Sequence, residues 1–252
     1  MQHMQSIAVI SDVHANLLAL DAVLKDISER KIERIVNLGD VLFGPLDPVG
    51  TAKRLMELDH VVNIMGNCDE ILLRSNVNSL TYQFVHPLLS KEILDWIFTF
   101  KKTWFFENLL FCHGTPVSNE RYLLEETTTA GVTYKSVEHL DEELVEVQSD
   151  YILCGHSHVS KTVFVPKTRK AIVNVGSVGL PAYDDEQPTP HCMESLSPYA
   201  KYVILKKNNN NNHWLIEHIQ VPYDWDRASD MAQQNARNDY AYAIKTGRVQ
   251  ER

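Results

Sequence analysis

SIAVISDVHANLLALDAVLKDI, Ser6 to Ile27, is the stretch whose reading decides the fold. Its first part is a short apolar run that stops at Ser11. Its second part carries Leu17, Leu18, Leu20, Val23, Leu24 and Ile27 at helical spacing, out to about Arg30. A strand, a loop and a helix follow from that change of period. The pattern then recurs. Arg34 to Leu38 runs into Gly39-Asp40, a Gly-Pro loop spans Gly44 to Pro48, and a helix extends to about Leu58. His60 to Met65 makes a third strand, ending at Gly66-Asn67. Three β-loop-α units in succession predict a largely parallel sheet buried by helices.

Open α/β folds bind ligands at the carboxyl ends of their strands, so the residues closing each apolar run are the ones to inspect. They are Asp12 and His14 in SDVH, Asp40 in LGD and Asn67 in GNCD. Two later strands, Leu109 to Cys112 and Tyr151 to Cys154, close on His113 in CHG and on His156 and His158 in GHSH. A lone D-x-H or H-x-H occurs by chance in many proteins. Five such motifs, each at the end of an apolar run, point to a two-metal hydrolase. Two divalent ions activate a shared water at neutral pH and clamp the oxygens of a phosphoryl group during in-line attack. A carboxylate can bridge two cations, which is the natural role of Asp40. Neutral imidazoles bind transition metals without adding negative charge, and Asn67 offers an uncharged amide oxygen. With anionic ligands confined to Asp12 and Asp40, the loaded site stays positive. Side chains two residues apart reach one cluster only where the backbone turns sharply, and Gly39, Gly66, Gly114 and Gly155 permit close approach there.

The 252 residues carry 24 Lys and Arg against 33 Asp and Glu, a formal charge of -9 with no basic block, so long nucleic acid is not expected as a partner. A small anionic substrate remains compatible, because bound cations reverse the local field. The four cysteines, Cys68, Cys112, Cys154 and Cys192, form no C-x-x-C pair, and Cys112 and Cys154 read as small core residues. No secretory leader and no membrane span is legible, so a cytoplasmic location and no membrane partner are expected. The opening MQHM allows Met4 as an alternative start.

Ligand motifs running from Asp12 to His158 cannot be divided between domains, so residues 1–252 are expected to form one domain. The segment 70–102 reads as two helices, either a cap beside the metal rim or an extension of the core. Residues 115–149 read as a polar loop and an acidic helix around Val137 to Val147, with Ser118 to Leu124 the part aimed at substrate. After His158 the runs Thr162 to Val165, Ala171 to Val175, Ala200 to Lys206 and Trp214 to Val221 suggest a second, mostly antiparallel sheet. The asparagines from Asn208 to Asn212 read as a hairpin loop, and a helical tail over 224–252 is expected to pack on the outside.

The order D-x-H, G-D, G-N-x-D, single histidine, G-H-x-H resembles that of the calcineurin-like metallophosphoesterases. NVGSVGLP at Asn174 to Pro181, Gly44-Pro45, HGTP at His113 to Pro116 and VPYD at Val221 to Asp224 resemble a bacterial branch. That branch includes predicted phosphodiesterases and relatives of diadenosine tetraphosphate hydrolases. The resemblance implies a four-layer α-β-β-α sandwich of two facing mixed sheets flanked by helices. It implies a first metal on Asp12, His14, Asp40 and His158 and a second on Asp40, Asn67, His113 and His156, with Asp40, Asn67 and His113 as catalytic candidates. The donor set suits Mn, Fe, Zn, Ni or Co and disfavours magnesium alone.

Phosphoprotein phosphatases of this superfamily carry a histidine after the metal-binding asparagine, placed to protonate the leaving oxygen. Cys68 stands there instead. A thiol of ordinary pKa, about 8.5, substitutes poorly for imidazole, so substrates with weakly basic leaving groups are expected: phosphoanhydrides or aryl esters over alkyl esters. Arg74, Arg121, Tyr122 and Tyr183 are the candidates for gripping phosphate or stacking on a base. Asn174, Gly176 and Ser177 read as shaping a turn at the metal rim, and His60, His86, His139, His191, His213 and His218 as surface or packing residues. The leading expectation is a metal-dependent phosphoesterase acting on a small phosphodiester, phosphomonoester or nucleotide anhydride. A protein phosphatase and a non-catalytic scaffold on the same fold are the alternatives, and oligomeric state is not legible.

Overall fold

The computed structural model describes residues 5–207 and 212–250. Met4 and most of the asparagine run lie outside the described residues. In chain order the elements are β1 Ser6–Ile10, α1 Leu17–Glu29, β2 Arg34–Asn37, α2 Pro48–Met56, β3 Val61–Asn63, α3 Asn67–Leu72, α4 Leu80–Val85, α5 Lys91–Phe98, β4 Trp104–Phe106 and β5 Leu109–Phe111. Then follow β6 Glu125–Thr128, β7 Gly131–Tyr134, α6 Val137–Leu144, β8 Tyr151–Cys154, β9 Lys161–Val165, β10 Lys170–Asn174, β11 Ala182–Asp185 and β12 His191–Glu194. The chain ends in β13 Ala200–Lys207, β14 Trp214–Val221, α7 Trp225–Gln234 and α8 Asn238–Thr246.

Two five-stranded mixed sheets result, one in the order β14-β13-β1-β2-β3 and the other β4-β5-β8-β10-β9. Successive side chains on a strand point to opposite faces, so a strand buried on both sides reads as an unbroken apolar run. In β1, Ile7 and Val9 face the other sheet and meet Phe111, Leu153 and Val173 there. Ala8 and Ile10 face the helices, packing in one core with Leu20, Val23 and Ile27 of α1 and with Ile93 and Ile97 of α5. The second sheet does the same on its far side, where Leu110, Ile152 and Ile172 meet Leu140 and Leu144 of α6. Helix, sheet, sheet, helix is the layer order that follows.

The three N-terminal units pair in parallel as their pattern implies, β1 with β2 and β2 with β3. The later strands depart from expectation, because they build no sheet of their own. β13 docks antiparallel on β1 and carries β14 with it, while β10 pairs parallel with β8 and carries β9. Alternation shows which faces of a strand are buried but not which edge accepts it, and the bare edge of β1 is filled from the far end of the chain. The hairpins β6-β7 and β11-β12 were also not legible, since residues such as Glu125, Glu126 and Asp184 interrupt any apolar run. No helix among the described residues is long and apolar enough to cross a membrane.

The tail packs on the outside as its helical pattern predicts, each helix burying one face and exposing the other. Ala228 and Ala232 of α7 and Ala241, Ala243 and Ile244 of α8 bury against Leu46, Leu180 and Ala182. Asn235 Nδ2 donates to the Pro45 carbonyl at 2.7 Å, and Val249 N to Glu194 Oε1 at 2.8 Å, so both ends of α8 are tied down. The hairpin is seated beside the motif loops.

Candidate metal centre

All seven motif residues come together at the carboxyl ends of β1, β2, β3, β5 and β8. Asp12, His14 and His158 form one buried triad and Asp40, His113 and His156 a second. Asn67 joins the second group through its Oδ1, 3.0 Å from His113 Nε2. Asp40 faces both sets, with Oδ2 3.4 Å from His113 Nε2 and 4.0 Å from His14 Nε2.

The sharp turns required by the spacing are visible as backbone angles. Asp12, His14, Asp40, His156 and His158 all have positive φ, between 46° and 67°. Such conformations cost about 1–3 kcal/mol each and persist where the surroundings over-determine them. Here the bracing is explicit. His14 N donates to Asp40 O at 3.0 Å, Asp12 N to Gly39 O at 2.9 Å and Gly179 N to Asp12 O at 3.0 Å. Ser177 Oγ donates to Asp12 O at 2.8 Å, and Asn174 Nδ2 to Gly155 O at 2.7 Å. The NVGSVGLP segment thus holds the D-x-H and H-x-H loops in register. Glycine is required at two close approaches beside the ligands: a Cβ on Gly66 would stand 2.0 Å from Asp40 Oδ1, and one on Gly155 2.1 Å from Ser11 Oγ.

A carbonyl fixes the tautomer of each imidazole. His14, His113 and His158 donate from Nδ1 to the carbonyls of Phe43, Leu38 and Leu180, which turns each Nε2 inward. His156 is reversed, donating from Nε2 to Glu120 O and leaving Nδ1 free to face inward. The result is a cluster of acceptors short of protons. His14 Nε2 and His158 Nε2 lie 3.2 Å apart, and the fully buried Asp12 Oδ1 receives no hydrogen bond. A cation between these groups removes the conflict, so the donor set fits a metal. Outer partners that orient ligands in this way are a regular part of metal sites.

The electrostatics are those of opposed charges in a dry space. Burial alone would raise the Asp12 and Asp40 carboxyls, but the imidazoles of His158 and His113 hold both below the ordinary value. Burial opposes charge on His113 as well, yet the Asp40 carboxylate outweighs it and holds that ring at about 9. His156 is driven down to about 3 by burial and by His113.

Three further side chains were not singled out by their sequence context. Asp69 lies at the third position of α3, where first-turn carboxylates often cap amides, and that was the available signal. Its Oδ2 accepts from Asp40 N at 2.7 Å and Gly66 N at 3.0 Å, and its Oδ1 from Val41 N at 2.9 Å. Glu125 lies behind the H-x-H loop, accepting from Ser157 Oγ at 3.0 Å. His191 accounts for the third: Tyr122 Oη sits 2.8 Å from both His191 Nε2 and Tyr183 Oη, and Tyr183 Oη donates to His156 O at 2.8 Å. His191 is therefore a packing residue, buried and bonded toward the site through Tyr122.

Glu125 yields a pH prediction. Burial pushes its carboxyl up to about 7 from 4.5, against the pull of the Ser157 hydroxyl. Folding then takes up a proton between those pH values. The contribution is fully present below pH 4.5 and is lost as pH rises through 7. Glu125→Gln is expected to stabilise the protein above pH 7 by up to about 3 kcal/mol, raising the thermal midpoint by several degrees, with the gain vanishing toward pH 4.5. Thermal melts of both proteins at pH 4.5 and pH 8 check this, and equal midpoints at pH 8 refute it.

A cavity of about 690 Å³ opens over the cluster, lined on its floor by His14, Asp40, Asn67, His156 and His158. Of the four proposed substrate contacts, Tyr183 lines it. Arg74 and Arg121 do not: Arg74 turns to the carboxylates of Glu70 and Glu120, and Arg121 is exposed. Tyr122 stacks on the His156 ring from behind, at 4.5 Å between centroids, so it supports that ring rather than facing the cavity. The Ser118 to Leu124 loop likewise serves His156, through the Glu120 carbonyl. From the segment 70–102, Ser79 and Thr81 reach the cavity wall, while Tyr82, Val85, Ile93 and Ile97 pack into the core.

Residues 5–195 match the pattern of the calcineurin-like phosphoesterase superfamily domain. The chain belongs to that superfamily. An uncharacterized protein of Methanocaldococcus jannaschii is 29% identical over 203 residues, spanning 69% of this chain and 76% of its own. The crystal structure of a metallophosphoesterase from Sphaerobacter thermophilus superposes with a TM-score of 0.76 at 19% identity, covering 97% of this chain and 100% of that one. A candidate diadenosine tetraphosphatase superposes with a TM-score of 0.53 at 13% identity, covering 88% and 96%. These likenesses show the fold of a calcineurin-like phosphoesterase, two facing mixed sheets with helices outside.

Proposed function

We propose that this calcineurin-like phosphoesterase hydrolyses a small phosphorylated substrate with two divalent metal ions, one held by Asp12, His14, Asp40 and His158 and the other by Asp40, Asn67, His113 and His156. The observation that carries this reading is the pair of buried triads, spanned by Asp40, at the floor of an organic-sized cavity. Bound ions would supply an activated water and positive charge for the developing phosphoryl oxygens. The chain's own part is to fix that charge in place. Asp69 pins the Asp40 backbone, four carbonyls pin the imidazoles, and the cavity above admits the ester. Borderline transition metals, Mn, Fe, Zn, Ni or Co, suit four imidazoles and two carboxylates.

Cys68 refines the substrate. Its amide donates to Asp40 Oδ1 at 2.9 Å, and the residue lines the cavity. Burial and then the Asp40 charge push that thiol well above its ordinary pKa, so it stays protonated and gives up its proton poorly. Leaving groups that need little protonation are favoured: anhydrides and aryl esters over alkyl esters. Rates on p-nitrophenyl phosphate, diadenosine tetraphosphate and an alkyl phosphate, each with Mn²⁺, test the order. Aryl and anhydride substrates are expected to react at least ten-fold faster, and equal rates on all three would sink this preference. Chelation is expected to abolish turnover and readdition of Mn²⁺ to restore it. A protein that binds fewer than two metals per chain at saturation would instead favour the scaffold alternative.

A further inference from the structure

We propose that the C-terminal helix α8, which lies beyond the part of the chain matching the superfamily domain, forms the specificity wall of the cavity. Arg237 and Tyr240 would there contact an uncharged, ring-bearing organic group on the phosphorylated substrate, of nucleoside size. The inference rests on the hydrolytic reading above and deepens it.

Size is the first argument. One phosphoryl group fills a small part of the 690 Å³ available, which falls within the ~300–1,000 Å³ of pockets that bury organic ligands. The far wall is the second. It is built from Arg237, Asp239 and Tyr240 at the start of α8, facing Ser79 and Thr81 at the start of α4. Arg237 is fixed before any ligand arrives. Its Nη1 donates to Thr81 Oγ1 at 2.5 Å, and its Nε and Nη2 donate to the Asp239 carboxylate at 2.9 and 2.5 Å. The guanidinium lies over the Tyr240 ring, 4.3 Å from its centroid. A guanidinium carries five N–H donors in one plane, so this one keeps donors beyond the three bonds named. Its side chain is only 16% exposed, and the rotamer freedom a ligand would otherwise have to quench is already lost.

The chemistry of the wall selects the ligand. A planar cation stacked on tyrosine, with Phe43 also on the lining, suits a flat ring. Asp239 and the Asp184-Asp185 end of β11 bring acidic residues to this lining, which favours hydroxyl and amino donors and disfavours added negative charge beside the ring. Base and sugar together offer such a surface. The tether of α8 through Asn235 to Pro45 and through Val249 to Glu194 holds this wall at a fixed distance from the metal ligands.

Two chromogenic diesters with one leaving group and one charge separate the wall from the chemistry: methyl p-nitrophenyl phosphate and the p-nitrophenyl ester of thymidine 5′-monophosphate. With Mn²⁺-loaded wild type, kcat/KM is expected to be at least ten-fold higher for the nucleotide ester. Arg237→Met and Tyr240→Leu are each expected to lower the ratio of the two constants ten-fold or more, chiefly through KM of the nucleotide ester. Arg237→Lys keeps the charge without the planar fork and should lower the ratio as well. Thermal midpoints identify the folded variants, and any one of the three that folds suffices for the comparison. A wild-type ratio near one, or a ratio that no folded variant moves beyond two-fold, overturns the inference while leaving the hydrolytic reading intact. Wild type that cleaves neither diester overturns the inference, and the hydrolytic reading falls only if p-nitrophenyl phosphate and diadenosine tetraphosphate are also left intact.

Discussion

Asp40→Asn is expected to abolish Mn²⁺-stimulated hydrolysis of bis-p-nitrophenyl phosphate while leaving the fold intact. The carboxylate stands between the two triads, 3.4 Å from His113 and 4.0 Å from His14. An amide keeps its shape and its acceptance of the Cys68 N–H, so the backbone has no reason to move. The negative charge that would draw two cations together is lost. Loss of several kcal/mol of charge stabilisation at ~1.4 kcal/mol per decade corresponds to about a thousand-fold or more in kcat/KM. Metal content should fall from two per chain to one or fewer. Unchanged turnover with two metals retained would show that Asp40 bridges nothing.

Asp69→Ala should have the largest effect on stability, although Asp69 is not a proposed metal ligand. Its two oxygens accept three buried backbone N–H groups, those of Asp40, Val41 and Gly66, and among the described residues no other acceptor bonds to them. A buried donor left unpaired costs roughly 1–3 kcal/mol, so removal of the carboxylate should cost about 3–6 kcal/mol. At a few degrees per kcal/mol for a domain of this size, the thermal midpoint should fall by on the order of 10 °C or more. Asp69→Asn separates cap from charge: it keeps one acceptor oxygen, and its effect should be intermediate. A drop of less than two degrees for Asp69→Ala would show that water replaces the cap and that the turn holds itself.

These two residues mark how far the sequence could be read. Asp40 was legible because a carboxylate after an apolar run and a glycine, repeated beside histidines on other strand ends, has few structural uses. The parallel start of the sheet was legible for a related reason, since three strand-to-helix changes of period leave little freedom in how β1 to β3 align. What failed was pairing over distance. Nothing in Tyr202, Val203 or Ile204 states that their strand docks on β1, because burial of both faces is common to every interior strand. Asp69 and Glu125 escaped notice because their roles are defined by backbone amides or hydroxyls brought in from elsewhere. Charge alone suggests Arg74 and Arg121 as phosphate contacts, but Arg74 turns to Glu70 and Glu120 and Arg121 is exposed. Arg237 lines the cavity from an external helix, and no motif around it in the sequence marks it.

The docking of β13 on β1 also bears on synthesis. A nascent chain that has issued His158 possesses every proposed metal ligand, yet β1 still presents an unpaired edge, as does any chain cut at residue 195 where the superfamily domain ends. Open edges of apolar strands invite pairing with other chains. The proposed ligands are therefore made before the edge of β1 is covered, and the strands from Ala200 onward serve as the closure of that edge.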